Sequence, residues 1–316
     1  MMKIKVGITI GDPSGIGPEI TLKALRSLKG LARFVVIADT WVLERAGFDK
    51  GKSSLAEFID LKNIRRDSFK FGRISAEYGR ASIEYLDKAL QMADSGEIDC
   101  LVTCPISKES IYKAGYRYSG HTEYLAERLC IKNQVMMLSN DKLRFSLVTR
   151  HIPLKEVPSR LNKEDLRRNI NLTESALRKL FLIKSPRIIV CGLNPHASDN
   201  GVIGDEENRI VKPLLRSLKK KIKVLDGPIS ADVAIAMAAK DKYDCVIAMY
   251  HDQALIPLKL FGNSAGVNLT LGLPFVRTSP LHGTAFDIAG LGLAKEDSLN
   301  AAIRQALKCT SNLKKA

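Results

Sequence analysis

Three of the five histidines sit in the same context. His151 follows FSLVT, His196 follows RIIVCGLNP, and His251 follows VIAMY. Each preceding run is short and apolar, the composition of a buried strand. In a parallel sheet the carboxyl ends of such strands share one edge, and ligands bind there. Neutral imidazole suits zinc and other divalent ions, and three protein ligands leave a position open for substrate. The pattern alone leaves two readings: one shared metal, or three unrelated polar residues in loops. The separations, 196 − 151 = 45 and 251 − 196 = 55 residues, exclude a local finger-type site and fit one assembled from distant segments. A metal there would polarise a substrate hydroxyl or carbonyl oxygen.

The polar complement comes from Lys259, Asn268 and Arg277. Arginine grips a carboxylate or phosphate through two donors, and lysine neutralises a phosphate. With 49 lysines and arginines in the chain, composition alone does not single these out. His121 and Thr122 lie in Gly120–Glu123, ahead of a helical pattern that Thr122 is placed to cap. His121 could meet an anion or carbonyl oxygen there, although its spacing fits a solvent-facing loop better. The segment GDPSGIGPE (11–19) joins a strand to a helix, a layout that aims backbone N–H groups at an anion or simply makes a tight turn. It matches neither GxGxxG nor GxxxxGK[ST].

The elements that must carry these residues alternate. Strands are expected at 4–10, 34–38, 100–103, 145–149, 187–191, within 219–225, at 245–249 and in 267–274. Helices are expected at 81–93, 124–129, 162–180, after Ser230, and at 299–307. Gly262–Gly266 reads as a turn, and 50–80 is polar and irregular. Alternating strands and helices indicate a doubly wound α/β fold. The 316 residues suffice for two lobes. The net charge is 49 − 34 = +15, but the cations are dispersed apart from Lys219–Lys221, and aromatics make up 6%. Nucleic acid is therefore not the expected primary partner, whereas a basic surface would steer anionic metabolites. Six scattered cysteines without a CxxC pair, no signal peptide and no membrane-length apolar run point to a reduced, cytoplasmic, soluble protein.

Taken together, GDPSGIGPE (11–19), GHTE (120–123), HIPL (151–154), LNPH (193–196), MYHDQ (249–253), VNLTLGLPFVRTS (267–279) and HGTAFDIAG (282–290) resemble the 4-hydroxythreonine-4-phosphate dehydrogenases nearly end to end. The glycine loop and the HGTA segment are also similar to those of isocitrate and isopropylmalate dehydrogenases. The resemblance implies two α/β/α lobes with largely parallel sheets and an active site in the interdomain cleft. The first lobe would span 1–105 plus 262–316 on the cofactor side, and the second 106–261, with the metal ligands and the dimer interface. It implies a homodimer whose subunits share one divalent metal on His151, His196 and His251. Zinc is the first choice for that metal, with magnesium or cobalt as alternatives.

The same resemblance assigns His121, Thr122, Lys259, Asn268 and Arg277 to a phosphorylated hydroxy amino acid. It assigns Gly283, Thr284, Ala285 and Asp287 to NAD or NADP. Asp252 and Asp232 are expected in supporting roles, with the general base unidentified. The expected reaction is oxidation of 4-phosphohydroxy-L-threonine at C3 and decarboxylation to 3-amino-2-oxopropyl phosphate, in pyridoxine 5'-phosphate biosynthesis. The alternative substrate is D-threonate or D-erythronate 4-phosphate, and a remoter alternative is a non-catalytic phosphate-binding protein. Three departures bear on specificity. Ala197-Ser198-Asp199-Asn200-Gly201 replaces Ala-Gly-Glu-x-Gly, Val233 stands where threonine is usual, and Leu281 replaces an acidic residue.

Overall fold

The computed structural model describes residues 3–49, 55–118, 120–262 and 265–315. Residues 263–264 of the expected turn, and 50–54 of the irregular stretch, lie outside them. In chain order the elements begin with β1 (Lys5–Thr9), α1 (Gly17–Ser27), β2 (Arg33–Ala38), α2 (Thr40–Arg45), β3 (Glu57–Asp60), α3 (Ala76–Asp94), β4 (Cys100–Thr103), α4 (Lys108–Lys113) and α5 (His121–Arg128). They continue with β5 (Val135–Ser139), β6 (Arg144–Leu147), α6 (Val157–Arg160), α7 (Lys163–Lys179), β7 (Arg187–Cys191), α8 (Lys212–Leu218), β8 (Val224–Ile229) and α9 (Ala231–Ala239). The chain closes with β9 (Cys245–Ala248), α10 (His251–Leu260), β10 (Val267–Leu271), β11 (Val276–Pro280) and α11 (Asp297–Leu313).

The chain divides into two compact units, Met1–Lys132 with Leu273–Ser311, and Asn133–Gly272 with Asn312–Ala316. Both divisions fall later in the chain than the sequence led us to expect. The first does so because Ile111 of α4 and Tyr124 of α5 join Ile83 and Leu86 of α3 in one apolar cluster. The second does so because β10 pairs with β5.

The first unit holds strands in the order β3-β2-β1-β4-β11, all parallel. The second holds β10-β5-β6-β9-β7-β8, parallel from β6 onward and antiparallel at β10, β5 and β6. Ile188, Ile189, Val190, Val246 and Ile247, on the inner strands β7 and β9, are fully buried. Strands covered on both faces read as unbroken apolar runs, and this made them visible in the sequence.

Two expectations change. The strand placed within 219–225 begins at Val224, because the N–H groups of Lys219, Lys221 and Ile222 still bond back into the last turn of α8. The segment after Tyr250, for which no element was expected, is a helix, so His251 and Lys259 belong to one element. Among the described residues no helix is long and apolar enough to cross a membrane. All six cysteines stand as thiols rather than disulfides, and all but Cys130 are buried.

Candidate active site

Strands β6, β9, β7 and β8 are adjacent and parallel, so their carboxyl ends form one edge. His151, His251 and His196 follow the first three, and Asp232 lies exposed in the first turn of α9 after the fourth. A cleft of about 340 Å³ opens there, lined by His151, His251, Asp252, Arg150 and Tyr250 among others. The rings of His151 and His251 lie 5.6 Å apart, centre to centre. Two imidazoles on one tetrahedral ion, with bonds of about 2.1 Å, would have centres roughly 5 Å apart. His251 Nδ1 meets Asp252 Oδ1 at 2.6 Å, which leaves Nε2 as the ring nitrogen open to a ligand. A carboxylate on the second ring nitrogen is the usual support of a metal-binding histidine. Two of the three expected donors therefore lie at a spacing that suits a divalent cation.

His196 is exposed, and no three His, Cys, Asp or Glu side chains among the described residues converge on a common point. Arg150 and Tyr250 were not anticipated from sequence. Their only signal was position, since each directly precedes a histidine of the cleft.

The loop that carries His196 is unusual. His196, Ala197, Ser198, Asp199 and Asn200 all have positive φ, from 47° to 70°. Left-handed backbone costs a non-glycine residue roughly 1–2 kcal/mol. The buried Glu207 offsets this by accepting the Leu193 and Asn194 N–H groups at 2.8 Å each. Ser198, at φ 70°, stands where the resemblance calls for glycine, and its buried Oγ has no hydrogen-bond partner. Ser198→Gly is expected to raise stability by about 1 kcal/mol, through relief of strain and removal of the unpaired hydroxyl. Urea denaturation would read this directly, and a destabilised variant would contradict it.

Lys259 is exposed, eight residues or roughly 12 Å along α10 from His251. Asn268, on β10, is 9% exposed, and its Oδ1 is buried without a hydrogen-bond partner. A buried carbonyl-type oxygen left unpaired is costly unless a ligand group meets it.

In the first unit, Arg277 on β11 is only 1% exposed, and its guanidinium donates to Thr103 Oγ1 at 2.5 Å. Burial pushes its pKa down to about 10, while Glu123 acts in the opposite direction, so the charge persists at neutral pH. His121 opens α5 after Gly120, and Thr122 is buried inside the helix rather than capping it. His121 is half-buried rather than solvent-facing, and its Nε2 is buried without a hydrogen-bond partner. Burial, reinforced by the nearby Arg277 charge, holds His121 well below the ordinary imidazole range, against a raising bond to the Cys104 backbone.

The folded chain therefore favours neutral His121, and the unfolded chain takes up the extra proton as pH falls below about 6.5. Stability from this site is fully present above that value and is lost below it. Thermal melts of His121→Gln are expected to show a shallower decline from pH 6.5 to 5 than the parent. Parallel curves would show that the histidine is not held neutral.

The glycine loop proves to be a buried turn. The N–H groups of Asp12, Gly15 and Ile16 bond to the Pro105, Asp12 and Thr284 carbonyls, and that of Ser14 bonds to Asp12 Oδ1. A Cβ on Gly17 would lie 1.8 Å from the Ile10 carbonyl oxygen. The loop thus seats the segment after His282 through the Thr284 carbonyl. Gly283 and Asp287 remain exposed, and Ala285 takes φ 43°. A Cβ on Gly283 would meet open space.

A family profile described as "Pyridoxal phosphate biosynthetic protein PdxA" matches residues 24–306. This chain belongs to the PdxA family. The chain is accordingly an enzyme of the oxidoreductase class, a dehydrogenase. It is 42% identical over 316 residues to the 4-hydroxythreonine-4-phosphate dehydrogenase of Sulfurihydrogenibium sp. (strain YO3AOP1), covering 96% of this chain and 98% of that one. It is 40% identical over 324 residues to an Oceanobacillus iheyensis protein provisionally named as a D-threonate 4-phosphate dehydrogenase, covering 96% and 97%. The crystal structure of the Klebsiella pneumoniae 4-hydroxythreonine-4-phosphate dehydrogenase superposes with a TM-score of 0.87 at 36% identity, covering 98% of each chain. Isocitrate dehydrogenase from Methylococcus capsulatus, at 14% identity and a TM-score of 0.52, shares the fold. PdxA membership and the isocitrate dehydrogenase-like architecture both agree with the sequence reading.

Proposed function

We propose that this PdxA protein oxidises 4-phosphohydroxy-L-threonine at C3 with NAD or NADP and releases 3-amino-2-oxopropyl phosphate and carbon dioxide. The observation that carries this reading is the His151–His251 pair, 5.6 Å apart at one sheet edge with Asp252 behind His251. His151, His251 and His196 would hold one divalent cation, whose chemistry there would be to polarise the C3 oxygen and to steady negative charge during decarboxylation. Gly283, Thr284, Ala285 and Asp287 would hold NAD(P), the hydride acceptor. Arg277, charged and desolvated, binds an anionic group of the substrate, and neutral His121 presents an unprotonated-side hydrogen bond beside it. Asn268 Oδ1 accepts from a substrate hydroxyl or amine, and Lys259 neutralises phosphate charge. Asp252 fixes the His251 tautomer, and Asp232 supports substrate or metal from the same edge.

His196 would come from a second subunit. In the single chain Ile256, Leu260 and Phe261, at the end of α10, are 58%, 75% and 44% exposed, an apolar surface suited to a homodimer. Mixing inactive His196→Ala and His251→Ala subunits tests the arrangement. A shared site restores one intact centre per heterodimer, and a site within one chain restores none.

A second reading, D-threonate or D-erythronate 4-phosphate as substrate, is favoured by the Oceanobacillus relative and by the departures at Ser198–Asn200, Val233 and Leu281. Purified protein assayed by NADH and NADPH absorbance with all three substrates, with and without chelator, decides between them. No turnover of 4-phosphohydroxy-L-threonine alongside turnover of either acid would reverse the assignment.

A further inference from the structure

We propose that Gln253 is a positioning residue that ties the histidine-bearing strand ends into one register, so that the metal-binding geometry depends on its side-chain amide. The inference rests on the metal reading above and deepens it. Gln253 is 7% exposed and sits in the first turn of α10, two residues after His251. Its Oε1 accepts the Met249 N–H at 2.7 Å, at the end of β9. Its Nε2 donates to the Gly192 carbonyl at 2.9 Å, at the end of β7, on the segment leading to His196. From the other side Thr149 Oγ1 donates to the Met249 carbonyl at 2.6 Å, joining the end of β6 ahead of His151. Thr149, Met249, Gln253 and Gly192 thus form a chain of side-chain and backbone bonds across three adjacent strand ends.

Helix capping alone does not account for this residue. A Glu or Gln near the third helical position often reaches back to an N–H ahead of the helix, and either side chain would serve. Only the amide can also donate to Gly192, because a carboxylate accepts and cannot give. Glutamine at 253 is the residue type that holds β9 and β7 together at this corner. Loss of a residue that orients metal ligands typically weakens metal binding 10–100-fold.

The test is Co(II) affinity by chelator competition, together with the visible absorption of the Co(II)-loaded protein, for Gln253→Met, Gln253→Glu and Thr149→Val. Thr173→Val serves as a control, since it breaks the buried Thr173–Ser146 bond at 2.7 Å, away from the cleft. The expected result is at least tenfold weaker Co(II) binding and an altered spectrum for both Gln253 variants. Thr149→Val should shift in the same sense, and Thr173→Val should stay within twofold of the parent at a comparable loss of melting temperature. If the Gln253 variants do not fold, Thr149→Val carries the test alone. Co(II) binding within twofold of the parent in the folded variants overturns the proposal. A parent protein that binds no Co(II) overturns the metal reading as well, and that outcome is distinguishable because it appears before any substitution.

Discussion

Arg277→Met is expected to lose some stability, while kcat/KM falls by roughly 30- to 5,000-fold. The two halves of this result come from one fact, that a charged guanidinium is held at 1% exposure. Removing one member of a buried charge interaction, here the attraction between Arg277 and Glu123, leaves the other uncompensated. An anionic substrate group is the further partner proposed here for that charge. Losing a desolvated charge–charge contact costs about 2–5 kcal/mol in binding, which sets the size of the kinetic effect. Arg277→Lys should rescue little, because lysine lacks the planar fork and burial drives its proton off. Calorimetric melts and steady-state kinetics with 4-phosphohydroxy-L-threonine read both halves. Retention of kcat/KM within tenfold in Arg277→Met would remove Arg277 from the site.

His251→Ala should abolish stoichiometric metal and reduce turnover at least 10³-fold, with His151→Ala close behind. Each removes one of the two rings whose separation fits a common ion. Asp252→Asn should act more gently: the ring keeps a neighbour but loses the carboxylate that raises its basicity, and metal affinity falls about 10–100-fold. The exposed Asp252 side chain contributes little to the fold, so its melting temperature should hardly move. Elemental analysis of protein dialysed against chelator would distinguish the series. A His251→Ala protein that retained one metal per subunit would place the ion elsewhere.

The parts legible in the sequence were those with strong periodicity or a run of one chemistry. Inner strands such as β7 and β9 announce themselves by continuous apolar residues, and the histidines that follow them marked the edge. Three strands did not show. β5 is VMMLS, with two methionines in place of β-branched residues. β3 has four residues and half-exposed positions. β11, VRTSP, reads as a loop because its buried arginine and terminal proline contradict strand composition. For the same reason Arg277 could not be told from 48 other cations, since burial is a property of the assembled core. His121 reversed its expected environment because the residues enclosing it, Arg277 and Cys104, are distant in sequence. α10 did not show past His251, because Pro257 interrupts its apolar positions.

The interleaving of the two units sets an order of events during synthesis. The second unit's sheet is drawn from one uninterrupted stretch, 133–272, so all its strands have left the ribosome before the first unit is complete. Until then β4 lacks its neighbour β11, and a strand whose residues end fully buried presents an unpaired edge. Such an edge is a template for association with other chains. The nascent protein therefore passes through a window in which one half can finish while the other waits for its last strand. Translation pauses or truncations shortly after Gly272 should be the ones most prone to aggregation.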